Sequence, residues 1–123
     1  MQRDLAHRLD ILQSAVLVQG FTRDVDEDAF RRDTLRQDAV IRRIEVIGEA
    51  SRRVSMDFRA AHPEIPWQGM VGMRSRLIHE YDRVDLVELW NVVREDVPQL
   101  IGLLSPLVPP ENPGDSEHPE PGT

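Results

Sequence analysis

The sequence predicts an all-α protein, an antiparallel up-and-down bundle of four to five helices followed by an acidic, proline-rich tail. Three observations predict it. Apolar residues recur at helical spacing along four segments. No stretch alternates apolar and polar residues between turn signals, as a half-buried strand would. Short breaks carrying Asp, Gly or Pro separate the segments, and short connections place successive helices antiparallel.

The first helix spans Arg3 to Gln19, with Leu5, Leu9, Leu12 and Val16 as its apolar stripe and Gly20 as its stop. Thr22 to Asp28 is an acidic turn in which Asp26 or Asp28 caps a short helical turn through Phe30. Thr34 to Val54 forms the clearest helix, with Val40, Ile44, Ile47, Ser51 and Val54 on one side. Gly48 lies within it. A mid-helix glycine costs about 1 kcal/mol against alanine, and a close helix crossing would compensate. Arg42, Arg43, Glu45, Glu49, Arg52 and Arg53 cover the remaining surface and read as a solvated face of i,i+3 and i,i+4 pairs.

Ser55 to Ala61 adds a short helix, and the run His62-Pro63-Glu64-Ile65-Pro66-Trp67 interrupts the pattern. Pro66 can open the next helix, expected to run unbroken to Ile78. Asp85 is a suitable N-cap for the last helix, whose stripe is Leu86, Leu89, Trp90, Val93, Val97, Leu100, Ile101 and Leu104. Pro98 predicts a kink there.

The chain therefore reads as one helical domain, 1–108, and a disordered tail, 109–123. The 123 residues carry a net charge of −7, and all 15 basic side chains are arginines. Absence of cysteine excludes disulfides and a thiol nucleophile, and absence of lysine excludes Schiff-base and P-loop lysines. The tail holds Glu111, Asp115, Glu117 and Glu120 without any arginine, leaving the body at −3. Bulk charge thus opposes coating of nucleic acid, whereas a locally basic site remains available. No apolar run is long enough to span a membrane, and the N-terminus does not resemble a signal peptide, so a cytoplasmic protein is expected. His and carboxylate spacing gives no metal signature, and no cofactor is expected.

One cluster carries chemistry: Met73-Arg74-Ser75-Arg76-Leu77-Ile78-His79-Glu80-Tyr81. Imidazole moves protons near neutral pH, and guanidinium grips phosphate oxygens in a bidentate fork. RNA brings its own nucleophile, the 2′-hydroxyl. On a regular helix Arg74 and His79 lie about 140° apart. They meet at a common phosphate if the helix ends or bends near Ile78, or if a second copy contributes across a two-fold axis. The alternative is structural. A histidine is favoured near a helix C-terminus by the dipole alone, Tyr81 suits a half-buried aromatic, and Arg74 and Arg76 could pair with Glu80, Asp82 or Glu49.

The spacing Arg74, four residues, His79, one residue, Tyr81 resembles the motif of HepT-like toxins in the HEPN superfamily. So do Gln37–Arg43 with Ile47–Ala50, the His62–Trp67 run, Val71–Arg74 and Val84–Leu86, and the likeness extends from about Arg3 to Leu104. The resemblance implies a helical homodimer with the motifs facing a shared cleft. It implies a metal-independent endoribonuclease toxin with Arg74 and His79 as the catalytic pair and Ser75 and Arg76 in support. It also implies a partner nucleotidyltransferase antitoxin, of the MNT type, that silences the toxin by transferring AMP from ATP to Tyr81. The sequence departs from the family at Ser75, where Asn or Asp is common, which bears on nuclease strength rather than on fold. Two other classes stand beside this one: a weakly active partner and substrate subunit of a nucleotidyltransferase, and a plain helical dimerisation module.

Overall fold

The computed structural model describes residues 2–78 and 83–109. Helix α1 spans Gln2–Thr22, α2 Glu27–Arg31, α3 Thr34–Arg53, α4 Met56–Ala61, α5 Trp67–Val71, α6 Met73–Leu77, α7 Leu86–Asn91 and α8 Val97–Leu104. A π-helical turn, Val92–Asp96, joins α7 to α8, and a 3-10 turn, Ser105–Leu107, follows. The all-α expectation holds; among the described residues the only β pairing is a single bridge between Ile78 and Val84.

Cross-links between helices establish their directions. Asp4 at the start of α1 accepts from the Ser55 amide at 2.9 Å, just beyond the end of α3. Arg43 donates to Ser14 Oγ at mid-helix, and Arg36 near the start of α3 reaches the Phe21 carbonyl near the end of α1. α1 and α3 are therefore antiparallel. Gly48 abuts Met70 and Val71, while Glu45 meets Arg74, so the α5–α6 segment runs antiparallel to α3. Arg94 donates to the Val25 carbonyl, and Arg8 to that of Leu107, so the last segment runs antiparallel to α1. The result is an up-and-down bundle.

Its core is aliphatic, with Ile11, Val18, Val40, Ile44, Ile47, Leu77, Leu89 and Leu104 buried around Phe30. Phe30 packs on Trp90 at 5.2 Å between ring centroids. All five residues of the α3 stripe are buried. The predicted caps form too, with Asp26 accepting from the Ala29 amide and Asp85 from Glu88, and Ser55 adds a third by accepting from Phe58.

Three local expectations require correction. Gly20 does not stop α1. The helix continues to Thr22, because Phe21 is half-buried and Thr22 is buried with its hydroxyl on the Val18 carbonyl at 2.7 Å. The buried face of α1 is Ile11, Ser14, Ala15, Val18 and Thr22, not the leucine stripe. Leu5, Leu9 and Leu12 flank the core and Val16 is 48% exposed, since α3 and α8 meet α1 on its other side. The helix expected over Pro66–Ile78 is two helices, divided at Gly72.

The predicted irregularity at Pro98 falls within the preceding turn. Proline lacks an amide donor, and the register slips to the π form: the Val97 amide reaches the Val92 carbonyl, five residues back. The slip buries both Val92 and Val93. The proposed tail lies outside the described residues beyond Pro109.

Candidate functional site

The motif segment begins at the α5–α6 break. Gly72 sits at φ −89°, ψ 1°, off the helical line, and its amide closes α5 on the Gln68 carbonyl at 3.0 Å. α6 then carries Arg74, Ser75 and Arg76 outward, with Met73 and Leu77 buried beneath them. This short helix is held from inside by its two apolar residues, since five residues alone would not sustain a helix in water.

The last helical bond of α6 runs from the Ile78 amide to the Arg74 carbonyl at 3.0 Å, and Ile78 is extended at φ −114°, ψ 119°. The regular helix thus ends at Leu77. The Asp85 amide donates to the Leu77 carbonyl at 2.8 Å, and Ile78 pairs with Val84. Residues 77–78 and 84–85 thus lie side by side. His79 and Tyr81, together with Glu80 and Asp82, lie outside the described residues.

Arg74 donates from Nε to Glu45 Oε2 of α3 at 2.7 Å and remains half-exposed. The other oxygen of Glu45 faces Arg42 Nη1 at 3.6 Å. Among the described residues, no group engages the terminal nitrogens of Arg74. The bond to Glu45 thus uses Nε and not the Nη edge. Arg76 behaves differently: its Nη2 lies 3.3 Å from Glu88 and 3.2 Å from Asp96, tying α6 to α7 and to the π turn. Ser75 is exposed. Among the described residues no cluster of three His, Asp or Glu side chains could hold a metal ion, and no helix is long and apolar enough to cross a membrane.

Glu45, Glu88 and Asp96 were not among the partners expected for these arginines. A signal for Glu45 existed. If α3 crosses the motif segment antiparallel at Gly48 and Met70, three residues back along one helix and four forward along the other bring Glu45 opposite Arg74. Glu49, expected as a partner of the motif, instead binds Arg52 and Arg53 of its own helix.

The structure thus defines a helical-bundle domain that displays an oriented guanidinium beside a chain reversal. Residues 11–107 match the family described as Ribonuclease HepT-like, and the chain belongs to that family. It is 47% identical over 100 residues to "Putative RNase MJ1380" of Methanocaldococcus jannaschii, covering 80% of this chain and 92% of that protein. It is 46% identical over 98 residues to "Probable ribonuclease HepT" of Thermococcus cleftensis, covering 80% and 89%. Over 90 residues it is 32% identical to "Putative RNase TTE0752" of Caldanaerobacter subterraneus subsp. tengcongensis, covering 73% and 80%. No solved structure matches the chain.

Proposed function

We propose that this chain is the toxin of a HepT/MNT toxin–antitoxin pair, a metal-independent endoribonuclease that works as a homodimer. Family membership supports the ribonuclease class. The observation that carries the site assignment is Arg74, exposed and held by Glu45 through Nε rather than through the Nη edge that would meet a phosphate.

In the proposed reaction the 2′-oxygen beside the cut bonds to phosphorus as its proton passes to a base. The bond from phosphorus to the 5′-oxygen breaks, and that oxygen takes a proton. A 2′,3′-cyclic phosphate and a 5′-hydroxyl remain. His79 moves the proton and Arg74 holds the non-bridging oxygens as their charge grows. Ser75 adds a hydroxyl beside Arg74, and Arg76 supports the site by anchoring α6 to Glu88 and Asp96.

Silencing is proposed to act through Tyr81. The Tyr81 phenolic oxygen attacks the α-phosphorus of ATP on the partner nucleotidyltransferase; pyrophosphate leaves and the phenolic proton is lost to solvent. The resulting adenylate sets an anion two residues from His79 and competes with RNA for Arg74.

The test is cleavage of single-stranded RNA by the purified chain in EDTA, with end-group analysis. Arg74→Ala and His79→Ala should each lower the rate about 100-fold or more. Cleavage that survives both substitutions overturns the assignment. Incubation with the cognate nucleotidyltransferase and ATP should add one adenylate to the wild type and none to Tyr81→Phe.

A further inference from the structure

The outer face of α3 holds an arrangement that the proposed catalytic residues do not account for. Glu45 and Glu49 stand one turn apart, and each spreads its two oxygens over two guanidiniums. Glu45 engages Arg74 through Oε2 and Arg42 through Oε1. Glu49 engages Arg52 through Oε1 and Arg53 through Oε2, the latter at 3.0 Å. The glutamates are the inner layer, with side chains 33% and 46% exposed, whereas the four arginines are 51–67% exposed. The row presents guanidinium to the outside with carboxylate beneath.

The local balance is four cations to two anions, on a chain whose net charge is −7. Each carboxylate also restrains the forks above it, so less side-chain freedom is lost when they bind an anion. From Arg42 to Arg53 the row extends about 16 Å along the helix. On the α1 side a groove of about 290 Å³ separates it from His7 and Asp10. The Asp10 carboxylate on that wall repels a polyanion and confines it to the α3 ridge.

We infer that Arg42, Arg52 and Arg53, seated on Glu45 and Glu49, form a phosphate track that carries the RNA strand away from Arg74. The inference rests on the proposed ribonuclease reading and extends it from the scissile phosphate to the flanking strand. A row of planar forks suits repeated phosphate oxygens, and its continuity with Arg74 gives it direction. The track reads backbone rather than bases, so it supplies affinity and register without sequence preference.

The test separates binding from cleavage. Binding of a fluorescein-labelled oligouridylate is measured by anisotropy, in a His79→Ala background, between about 50 and 200 mM salt. R52Q/R53Q should weaken binding about tenfold and lower the slope of log K against log salt by about 1.4, two contacts at 0.7 each. Arg42→Gln alone should lower that slope by about half as much. R31Q/R32Q, which removes the i,i+4 pairs of α2 with Glu27 and Asp28, should change neither quantity. Circular dichroism melts confirm that each variant folds. Unchanged affinity and slope in R52Q/R53Q overturn the track, even where wild-type chain cleaves RNA. An equal loss in R31Q/R32Q also overturns it. Retained RNA affinity with lost binding of the nucleotidyltransferase overturns it as well and makes this face a protein-docking surface. Absence of cleavage by wild type, with the track variants still weakening binding, overturns the ribonuclease reading and leaves the track.

Discussion

Arg74 and Glu45 are 29 residues apart in sequence and 2.7 Å apart in the fold, joined from Nε to Oε2. The bond uses the side of the guanidinium and spares its end. It also comes from α3, the helix whose packing on α5 and α6 positions the motif. Glu45 is thus a positioning residue for the proposed chemistry. Glu45→Ala should lower kcat/KM for RNA roughly 10- to 100-fold, because a misplaced phosphate clamp costs rate steeply. Glu45→Gln, which can still accept from Nε, should recover part of that loss. Steady-state cleavage of the three chains at one pH checks the order.

The crossing at Gly48 gives a stability prediction with opposite signs at two glycines. A Cβ at Gly48 would lie 3.2 Å from the Met70 carbonyl oxygen and 3.5 Å from that of Val71, both backbone atoms of α5. Gly48→Val should therefore destabilise by about 1–3 kcal/mol, the usual cost of overpacking. Gly20 also sits inside a helix, but a Cβ there would meet nothing within 4 Å. Gly20→Ala should stabilise by about 0.5–1 kcal/mol through helix propensity and a less flexible unfolded chain. Urea titrations of both variants distinguish the two signs.

Much of this fold was legible because its signals are local. The five-residue stripe of α3, the caps at Asp26 and Asp85, and the disturbance near Pro98 each depend on neighbours within a turn or two. The face of α1 was misread because its sequence offers two apolar stripes, and the choice between them is made by α3 and α8, distant in the chain. The break at Gly72 was missed because a single glycine is tolerated in many helices; here Gly72 takes φ −89°, ψ 1° between α5 and α6. At the site, the Arg74–His79–Tyr81 spacing was visible, while the carboxylates that hold Arg74 and Arg76 are tertiary partners.

Acid should weaken the fold through three carboxylates. The Ser55 hydroxyl, with the Ser55 amide, holds Asp4 below its ordinary value of 3.8. The Arg36 amide and side chain do the same for Asp33, and Arg52 with Arg53 for Glu49, whose ordinary value is 4.5. A depressed folded pKa contributes stability that is present above the unfolded value and lost as pH falls through the folded one. Melting temperature should accordingly hold from pH 7 to about 5 and decline below about 4.5. Asp4→Asn should be less stable at pH 7 and show a shallower acid decline, read from melts across that range.

Arg76 provides the sharpest contrast with Arg74, two residues away on the same short helix. One Nη2 lies within 3.3 Å of both Glu88 and Asp96, so its charge is already spent on α7 and the π turn. Those two carboxylates would be left facing each other without a cation in Arg76→Gln. All three side chains are partly exposed, and exposed pairs contribute about 0–1 kcal/mol each, so the stability loss should be at most about 1–2 kcal/mol. The consequence for activity is expected to come through the motif segment: α6 loses a tie to the segment that begins at Asp85, and His79 lies between them in sequence. Arg76→Gln should therefore lower kcat more than it raises KM, whereas R52Q/R53Q should raise KM. Glu88→Gln combined with Asp96→Asn, in the Arg76→Gln background, removes the stranded charges and should restore stability without restoring kcat. Parallel measurement of melting temperature, kcat and KM on this series separates an anchor for α6 from a contact with RNA.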